Sequence, residues 1–214
     1  MKTLYSESNA VKLHPLFPIP VYNIKRELEL DTAEEKDIVD IIKEGMGRND
    51  SNSSTENTYI FKTKLKALKQ FCEKHIINYI IEIINPEKEL DLYITQSWLN
   101  ITKPGEYHHV HSHPNSIVSG VFYISTVEDD QLSFGDPNTK VKEQIKLEQK
   151  EYNMWNSASW NVPVDNNTLL LFPSWLNHQV KLNPKATTDR ISISFNTFTK
   201  GRFGSNEQSN ELIL

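Results

Sequence analysis

The chain has 214 residues and a formal net charge of −5, with 23 lysines and arginines against 28 aspartates and glutamates. This length fits one large domain, and the acidic balance argues against a dedicated nucleic-acid binder. Cys72 is the one cysteine in the sequence, which excludes an intramolecular disulfide and a cysteine metal cage.

Targeting and membrane signals are absent from the sequence as given. The first residues contain no apolar stretch of a secretion signal, and no run of about 18 apolar residues predicts a transmembrane helix. A lone cysteine suits a reducing compartment. We therefore expect a cytoplasmic protein without a membrane segment.

The first predicted element is extended. Residues 16–27 are rich in β-forming residues but contain Pro18 and Pro20. Because proline cannot donate a hydrogen bond to a strand ladder, this segment is expected to be an edge strand or an extended strap.

Two helices are predicted next. The first is expected to start with a capping box formed by Thr32 and Glu35, and the polar stretch 49–57 that follows it is expected to be a loop. The second is predicted over about 62–84, where apolar residues recur in steps of three and four.

From residue 92 onwards, short segments rich in β-branched and aromatic residues alternate with turn signals. Strands are predicted near 95–101, 116–126, 131–135, 141–147, 167–173, 178–182 and 190–198, with a further pair around 151–154 and 160–164. Helices followed by about eight strands predict an α+β, mainly β fold, a jelly roll whose helices pack on one outer face. We expect a single domain, with the strap and helices in 1–91, the jelly-roll core in 92–200 and a tail in 201–214.

Four of the seven histidines lie within residues 107–116. His109, His111 and His113 alternate, so in an extended segment their rings project from one face and that of His108 from the other. Neutral histidine is the commonest protein ligand of transition metals. This segment is therefore a candidate metal site.

A second polar group follows a buried strand downstream. Residues 169–172 are apolar throughout, which suits a strand buried on both faces, and His178 is predicted at the start of the next strand. Arg190 is expected to begin the strand after that, so two neighbouring antiparallel strands would bring the two residues close together. Arg190, Ser192 and Ser194 share one face, and a guanidinium with a nearby hydroxyl is suited to binding a carboxylate.

In order and spacing, these motifs resemble those of the 2-oxoglutarate and Fe(II)-dependent oxygenases, most closely the group found in marine bacteria and phages. The resemblance covers most of the chain from 16 to 198. The matching stretches are residues 16–22 (LFPIPVY), 98–100 (WLN), 103–105 (KPG), 111–116 (HSHPNS), 119–123 (SGVFY), 134–137 (FGDP), 172–175 (FPSW) with His178, and 190–196 (RISISFN).

The resemblance implies a double-stranded β-helix, the cupin-like form of the jelly roll, with iron at its mouth. It implies that His111 and His178 are ligands, that His113 occupies the position of the usual carboxylate ligand, and that Arg190, helped by Ser192, binds the distal carboxylate of 2-oxoglutarate. The cofactors implied are Fe(II), the co-substrate 2-oxoglutarate and O2. The activity implied is decarboxylation of 2-oxoglutarate to succinate together with hydroxylation of a C–H bond.

Position 113 departs from the superfamily, which mostly has aspartate or glutamate there. Either His113 is a true ligand in a three-histidine site, which we favour, or a carboxylate such as Asp136 completes the site. His109 is a further alternative, since a two-residue register slip would let it replace either ligand. Tyr123 and Asn100 are expected to line the co-substrate pocket.

Two other functions are compatible with the motifs: a three-histidine metal dioxygenase that does not use 2-oxoglutarate, and a non-catalytic binding or structural jelly roll. The expected substrate is a small molecule or a peptide or protein side chain. Trp155, Trp160 and Trp175, near the expected mouth, suit stacking on such a substrate. A homodimer is an open alternative, because the strap 16–22 suits pairing across subunits.

Overall fold

The computed structural model describes residues 12–87, 90–139 and 147–214. These ranges contain the helices α1 (Thr32–Glu44) and α2 (Lys66–Tyr79), a 3₁₀ turn (Ile60–Lys62) and a π-helical turn (Ile80–Ile84) that continues α2. The strands are β1 (Tyr22–Lys25), β2 (Met46–Asn49), β3 (Asn52–Thr55), β4 (Asp91–Thr102), β5 (His108–His111), β6 (Val118–Ser125), β7 (Gln131–Gly135), β8 (Ser159–Pro163), β9 (Thr168–Pro173), β10 (His178–Val180), β11 (Arg190–Lys200), β12 (Arg202–Phe203) and β13 (Leu212–Ile213).

The main strands form two antiparallel sheets. The larger sheet has the order β1-β9-β6-β11-β4-β3-β2 and the smaller has the order β5-β10-β7-β8. The last two strands, β12 and β13, form a separate hairpin. This arrangement, with two helices beside the larger sheet, confirms the predicted α+β, mainly β jelly roll.

The helices cover the outer face of the larger sheet. Apolar residues of both helices, such as Ile41 and Leu68, form one buried cluster with Phe122, Ile193 and Phe195 of the sheet. Burial of this apolar area is the main force that holds the helical layer in place.

A second buried cluster fills the space between the two sheets. Val121, Leu170 and Phe172 of the larger sheet pack there against Leu132 and Phe134 of the smaller one. Because side chains in a strand alternate between faces, β9 contributes to both clusters, and its four central residues are completely buried. The prediction that residues 169–172 are buried on both faces is confirmed.

The N-terminal extended segment behaves as its prolines predict. Among the described strands, β1 pairs with β9 alone and is an edge strand of the larger sheet. It follows Pro18 and Pro20, so neither proline interrupts the ladder.

Two details near α1 differ from the predictions. The N-cap is Asp31 rather than Thr32, and the capping box joins Asp31 to Glu34 rather than Thr32 to Glu35. The expected loop 49–57 contains β3, which forms a hairpin with β2 and pairs with β4 in the larger sheet. Its Asn- and Ser-rich sequence has little strand propensity, and the pairing with β4 determines its structure.

The predicted strands agree with the structure in all but two cases. Residues 151–154 form no strand, because this stretch is occupied by bends and a turn. The strand expected at 141–147 lies almost wholly outside the described residues. Among the helices within the described ranges, none is long and apolar enough to cross a membrane.

Candidate metal centre

The site is built on the pairing of β5 with β10. His111, the last residue of β5, lies directly opposite His178, the first residue of β10. Their ring centroids are 4.3 Å apart. His178 is only 4% exposed, so the sheet holds one imidazole in the interior and the other beside it.

Backbone carbonyls two residues earlier in the chain orient both rings. Nδ1 of His111 lies 2.8 Å from the carbonyl oxygen of His109, and Nδ1 of His178 lies 3.0 Å from that of Leu176. Because a carbonyl only accepts, each Nδ1 must carry the proton. Nε2 is therefore left with its lone pair in both rings, the form in which a neutral histidine binds a metal.

His113 completes a compact group just after β5 ends. Its backbone N–H donates to the carbonyl of Ser174 at 2.9 Å, which ties this turn to the end of β9. Its Nε2 lies 3.3 Å from Nε2 of His178. Metal–nitrogen bonds of about 2.0–2.1 Å place two neighbouring ligand atoms about 2.8–3.4 Å apart in octahedral or tetrahedral geometry, so this spacing suits two ligands of one ion.

One candidate ligand atom from each of His111, His113 and His178 lies within 4.8 Å of the other two. Burial lowers the pKa of His178 to about 3 and that of His113 to about 4, and the neighbouring His111 adds to both shifts. Burial likewise lowers the pKa of His111. The three imidazoles are therefore neutral near pH 7 and ready to act as ligands.

The predicted alternation of the histidines is wrong at the start of β5. On β10 two residue steps separate His178 from Val180, whereas on β5 three steps separate their partners His111 and His108. This β-bulge breaks the period of two, so His108 and His111 come to the same side and their rings stack at 4.4 Å. His109 instead pairs with Asp50, its Nδ1 lying 3.2 Å from a carboxylate oxygen.

His108, His109 and His111 also form a group of potential ligands within 4.8 Å of one another. His108 is held by Asn49, whose amide nitrogen is 3.3 Å from its Nε2. Burial lowers the pKa of His108 to about 3, with further lowering by His111. The sequence prediction placed His108 on the opposite face, away from the site.

Arg190 and His178 belong to opposite sheets, so the prediction of two neighbouring strands is wrong. β10 lies in the smaller sheet and β11 in the larger, and the two residues face the same space from opposite sides. Both line a cavity of about 30 Å³ between the sheets. Other residues that line this cavity are Trp98, Asn100, His108, His111, His113, Ser192 and Ser194.

Arg190 and Ser192 lie on the inner face of β11, and Ile193 lies on the face that meets the helices, as the alternation predicts. Arg190 is 4% exposed. Its Nε donates to both carboxylate oxygens of Asp130, at 3.0 and 2.9 Å. Its guanidinium carbon also lies 4.9 Å from the centre of the Tyr123 ring.

Several buried polar atoms between the sheets make no hydrogen bond of regular geometry among the described residues. They are Nη2 of Arg190, the hydroxyl of Tyr123, Oδ1 of Asn100 and Oδ1 of Asn52. Burial raises the pKa of Tyr123, which keeps its hydroxyl protonated and able to donate. Because orphaned buried polar atoms are costly, this set indicates a site for a polar ligand.

Asp136, the alternative third ligand, belongs to neither histidine group. It lies in the turn after β7, where Oδ1 accepts from the backbone N–H of Asn138 at 2.9 Å. Its backbone N–H donates to Ala158. The structure thus gives this carboxylate a role in its own turn.

A second cavity, of about 220 Å³, adjoins the first and shares Arg190 and Val180 with it. Asp130 also lines the larger cavity. The sequence did not predict a role for Asp130. This residue lies 60 positions from Arg190, in a run of acidic residues that is typical of a surface turn. A β-bulge leaves no recognisable local pattern in the sequence, so the position of His108 was not predicted either.

The fold is similar to that of solved 2OG-Fe(II) oxygenases. It is similar to an oxidoreductase of the 2OG-Fe(II) oxygenase family from Burkholderia pseudomallei, with a TM-score of 0.55 and 8% identity over 83% of each chain. It is also similar to a Pseudomonas putida prolyl-4-hydroxylase, with a TM-score of 0.53 and 15% identity over 83% of this chain and 92% of that one. HygX from Streptomyces hygroscopicus, with nickel and 2-oxoglutarate bound, gives a TM-score of 0.54 and 10% identity over 84% and 82% of the two chains.

The sequence comparison agrees with this similarity of fold. Residues 96–196 match the family described as "Putative 2OG-Fe(II) oxygenase", and no curated protein matches the sequence. This segment of the chain is therefore similar to the 2OG-Fe(II) oxygenases, oxidoreductases that use Fe(II), 2-oxoglutarate and O2. The matched segment runs from β4 to β11 and contains His111, His113, His178 and Arg190.

Proposed function

We propose that this protein is a 2OG-Fe(II) oxygenase that hydroxylates a C–H bond of a small molecule or of a peptide or protein side chain. In this proposal His111, His113 and His178 hold the iron, and Arg190 anchors the distal carboxylate of 2-oxoglutarate. The observation that carries it is the 3.3 Å between Nε2 of His113 and Nε2 of His178, beside a cavity that Arg190 also lines.

The donor set suits Fe(II). Imidazole nitrogen is a good ligand for iron, and two of the three rings have their tautomers set by backbone carbonyls. When bound, Fe(II) supplies the redox chemistry that couples O2 and the decarboxylation of 2-oxoglutarate to oxidation of the substrate. Three neutral imidazoles leave the ion more positive than a carboxylate ligand would, which favours an anionic co-substrate.

The polar atoms around Arg190 suit a carboxylate. Nη2 of Arg190 and the Tyr123 hydroxyl are buried donors that interact with each other but make no hydrogen bond of regular geometry among the described residues. Charge-assisted hydrogen bonds from such donors are strong. Ser192, which would help Arg190 bind the distal carboxylate, and Asn100 line the same cavity.

The smaller cavity must widen to admit the co-substrate. Its volume of about 30 Å³ accommodates roughly two waters, and 2-oxoglutarate is several times larger. The larger cavity adjoins it at Arg190 and Val180. We therefore infer that side chains at this junction move apart on binding.

Exposed aromatic residues support a substrate with a flat or apolar group. Trp175 is 57% exposed and precedes His178 by three residues. Trp160 is 45% exposed and pairs with Phe134, which in turn pairs with His178, so Trp160 lies two strands from the histidine. Both small-molecule and peptide substrates occur among similar structures, since HygX is described with hygromycin B and a Trichoplax adhaerens prolyl hydroxylase with a peptide.

Turnover of the co-substrate tests this proposal before the substrate is known. Purified protein is supplied with Fe(II), O2 and 2-oxoglutarate, and succinate is measured by NMR. Peptides and small molecules that raise succinate formation are then examined by mass spectrometry for the gain of one oxygen atom. The expected result is succinate formation that needs Fe(II) and a product 16 mass units heavier than its substrate.

His178→Ala is the inactive control, and His14→Ala, which removes an exposed histidine outside the site, is the matched active control. Succinate formation that survives in His178→Ala would contradict the ligand assignment. A candidate substrate that raises succinate formation but gains no oxygen atom would contradict hydroxylation. It would leave the proposed oxygenase class intact.

A further inference from the structure

Asp130 is the direct partner of the proposed co-substrate anchor. It is 6% exposed, and both of its carboxylate oxygens accept from Nε of Arg190 at 2.9–3.0 Å. The Arg190 side chain is also buried, so the pair is shielded from solvent. No motif of the sequence assigns a role to this aspartate.

The main chain holds Asp130 in place on both sides. Its N–H donates to the carbonyl of Val127 at 3.1 Å, and its own carbonyl accepts from Val164 at 3.0 Å. Asp130 immediately precedes β7, so the smaller sheet carries the carboxylate while the larger sheet carries Arg190. The ion pair therefore links the two sheets.

The pair leaves the far end of the guanidinium available. A guanidinium has five N–H donors in a planar fork. Asp130 accepts hydrogen bonds from the N–H group on Nε alone. Nη2 is buried and makes no hydrogen bond of regular geometry among the described residues, although the Tyr123 hydroxyl lies within reach of the guanidinium. A carboxylate that approaches end-on would take one hydrogen bond from each Nη atom, and this is the bidentate geometry that arginine favours.

We infer that Asp130 is a positioning residue for the co-substrate: it fixes Arg190 through Nε so that the two Nη atoms are presented to the distal carboxylate of 2-oxoglutarate. This inference rests on the proposed role of Arg190. Asp130 acts through the arginine and does not touch the co-substrate. Its loss is expected to weaken the binding of oxo acids that carry a distal carboxylate and to spare those that lack one.

The opposite effect is the main alternative. If the Asp130 carboxylate competed with the co-substrate for Arg190, then removing its charge would tighten 2-oxoglutarate binding. The structure argues against competition, because Asp130 bonds to Nε and not to the Nη atoms that the co-substrate would use. Backbone hydrogen bonds to Val127 and Val164 also keep Asp130 in this position.

Anaerobic binding titrations separate these cases. Fe(II)-loaded protein is titrated with 2-oxoglutarate and, separately, with 2-oxobutanoate, which has the same chelating end but no distal carboxylate. The visible charge-transfer band of the chelate reports binding without turnover. For Asp130→Asn we expect the Kd for 2-oxoglutarate to rise about 10- to 100-fold, the range for a lost hydrogen bond to a charged group, with an unchanged Kd for 2-oxobutanoate.

Asp129→Asn is the matched control, since Asp129 is the neighbouring aspartate and pairs with the exposed Lys185. It should leave both Kd values unchanged. Asp130→Glu keeps the carboxylate and should restore part of the affinity for 2-oxoglutarate. If Asp130→Asn does not fold, as judged by its thermal unfolding, Asp130→Glu takes its place and should still show a loss confined to 2-oxoglutarate.

The outcomes distinguish the inference from the function on which it rests. A wild-type protein without a band for either oxo acid would overturn both. A wild-type band with an unchanged or lower Kd for 2-oxoglutarate in the Asp130 variant would overturn the inference alone. An equal loss for both oxo acids would also overturn it, because that result indicates general damage to the site.

Discussion

His111 on β5 and His178 on β10 lie directly opposite each other, with ring centroids 4.3 Å apart. Each ring is oriented by the carbonyl two residues before it. Arg190 reaches the same cavity from the facing sheet. The smaller sheet and the turn after β5 thus carry the proposed metal ligands, and the larger sheet carries the proposed co-substrate anchor, so the cavity between the two sheets is the proposed site of reaction.

The choice between the two histidine groups is testable with metal binding alone. His113→Ala should lower the affinity for Fe(II) by more than about 100-fold, since loss of a ligand exceeds the 10- to 100-fold cost of losing an outer partner. His113→Asp should retain binding, because it places a carboxylate where most of the superfamily has one. Anaerobic equilibrium dialysis with elemental analysis measures both.

The control for this experiment is His109→Ala. His109 is partly exposed and paired with Asp50, so its removal should leave the affinity for Fe(II) unchanged. Strong loss in His109→Ala with little change in His113→Ala would instead assign the metal to His108, His109 and His111.

Gly120 allows close packing beneath the helices. It pairs with Phe195 across β6 and β11, and a Cβ atom at this position would come within 2.1 Å of the Phe195 ring. Gly120→Ala should therefore lower the free energy of unfolding by about 1–3 kcal/mol. Thermal unfolding should show a fall in Tm of about 2–4 °C per kcal/mol for a chain of this size.

Gly47→Ala is the matched control for Gly120, because a Cβ atom at Gly47 meets its nearest neighbour at an ordinary 3.6 Å. Its effect on Tm should be small. Equal shifts in the two variants would show that the contact with Phe195 does not set the requirement for glycine.

The start of α1 gives a third prediction. Asp31 caps the helix by accepting from the N–H of Glu34 at 2.8 Å. Asp31→Ala should cost about 1 kcal/mol of stability, whereas Thr32→Ala should have little effect because Thr32 is already the first helical residue. Chemical denaturation of both variants measures the difference, and a larger loss in Thr32→Ala would contradict the assigned cap.

Local sequence patterns were enough to predict the inward face of β11 and the position of His178 at the start of β10. Alternation along β11 places Arg190 and Ser192 on the face opposite Ile193, and the turn before β10 places His178 at a strand start. These features depend on the period of a strand, which the sequence contains directly.

The remaining features depend on contacts between distant segments. The bulge in β5 is set by its register with β10, and the assignment of β10 and β11 to opposite sheets depends on the overall topology. The Arg190–Asp130 pair joins residues that are 60 positions apart. Neither the spacing nor the residue types predict this contact. The sequence therefore indicated the role of Arg190 but not its partner Asp130.

The most direct test of the account is an anaerobic titration of the protein with Fe(II), with and without 2-oxoglutarate, followed by visible absorption. We predict a charge-transfer band that needs both components, is retained in His14→Ala, vanishes in His178→Ala and needs much more 2-oxoglutarate in Arg190→Ala. Iron binding without a band that depends on 2-oxoglutarate, or a band that persists unchanged in His178→Ala, would contradict the proposed site.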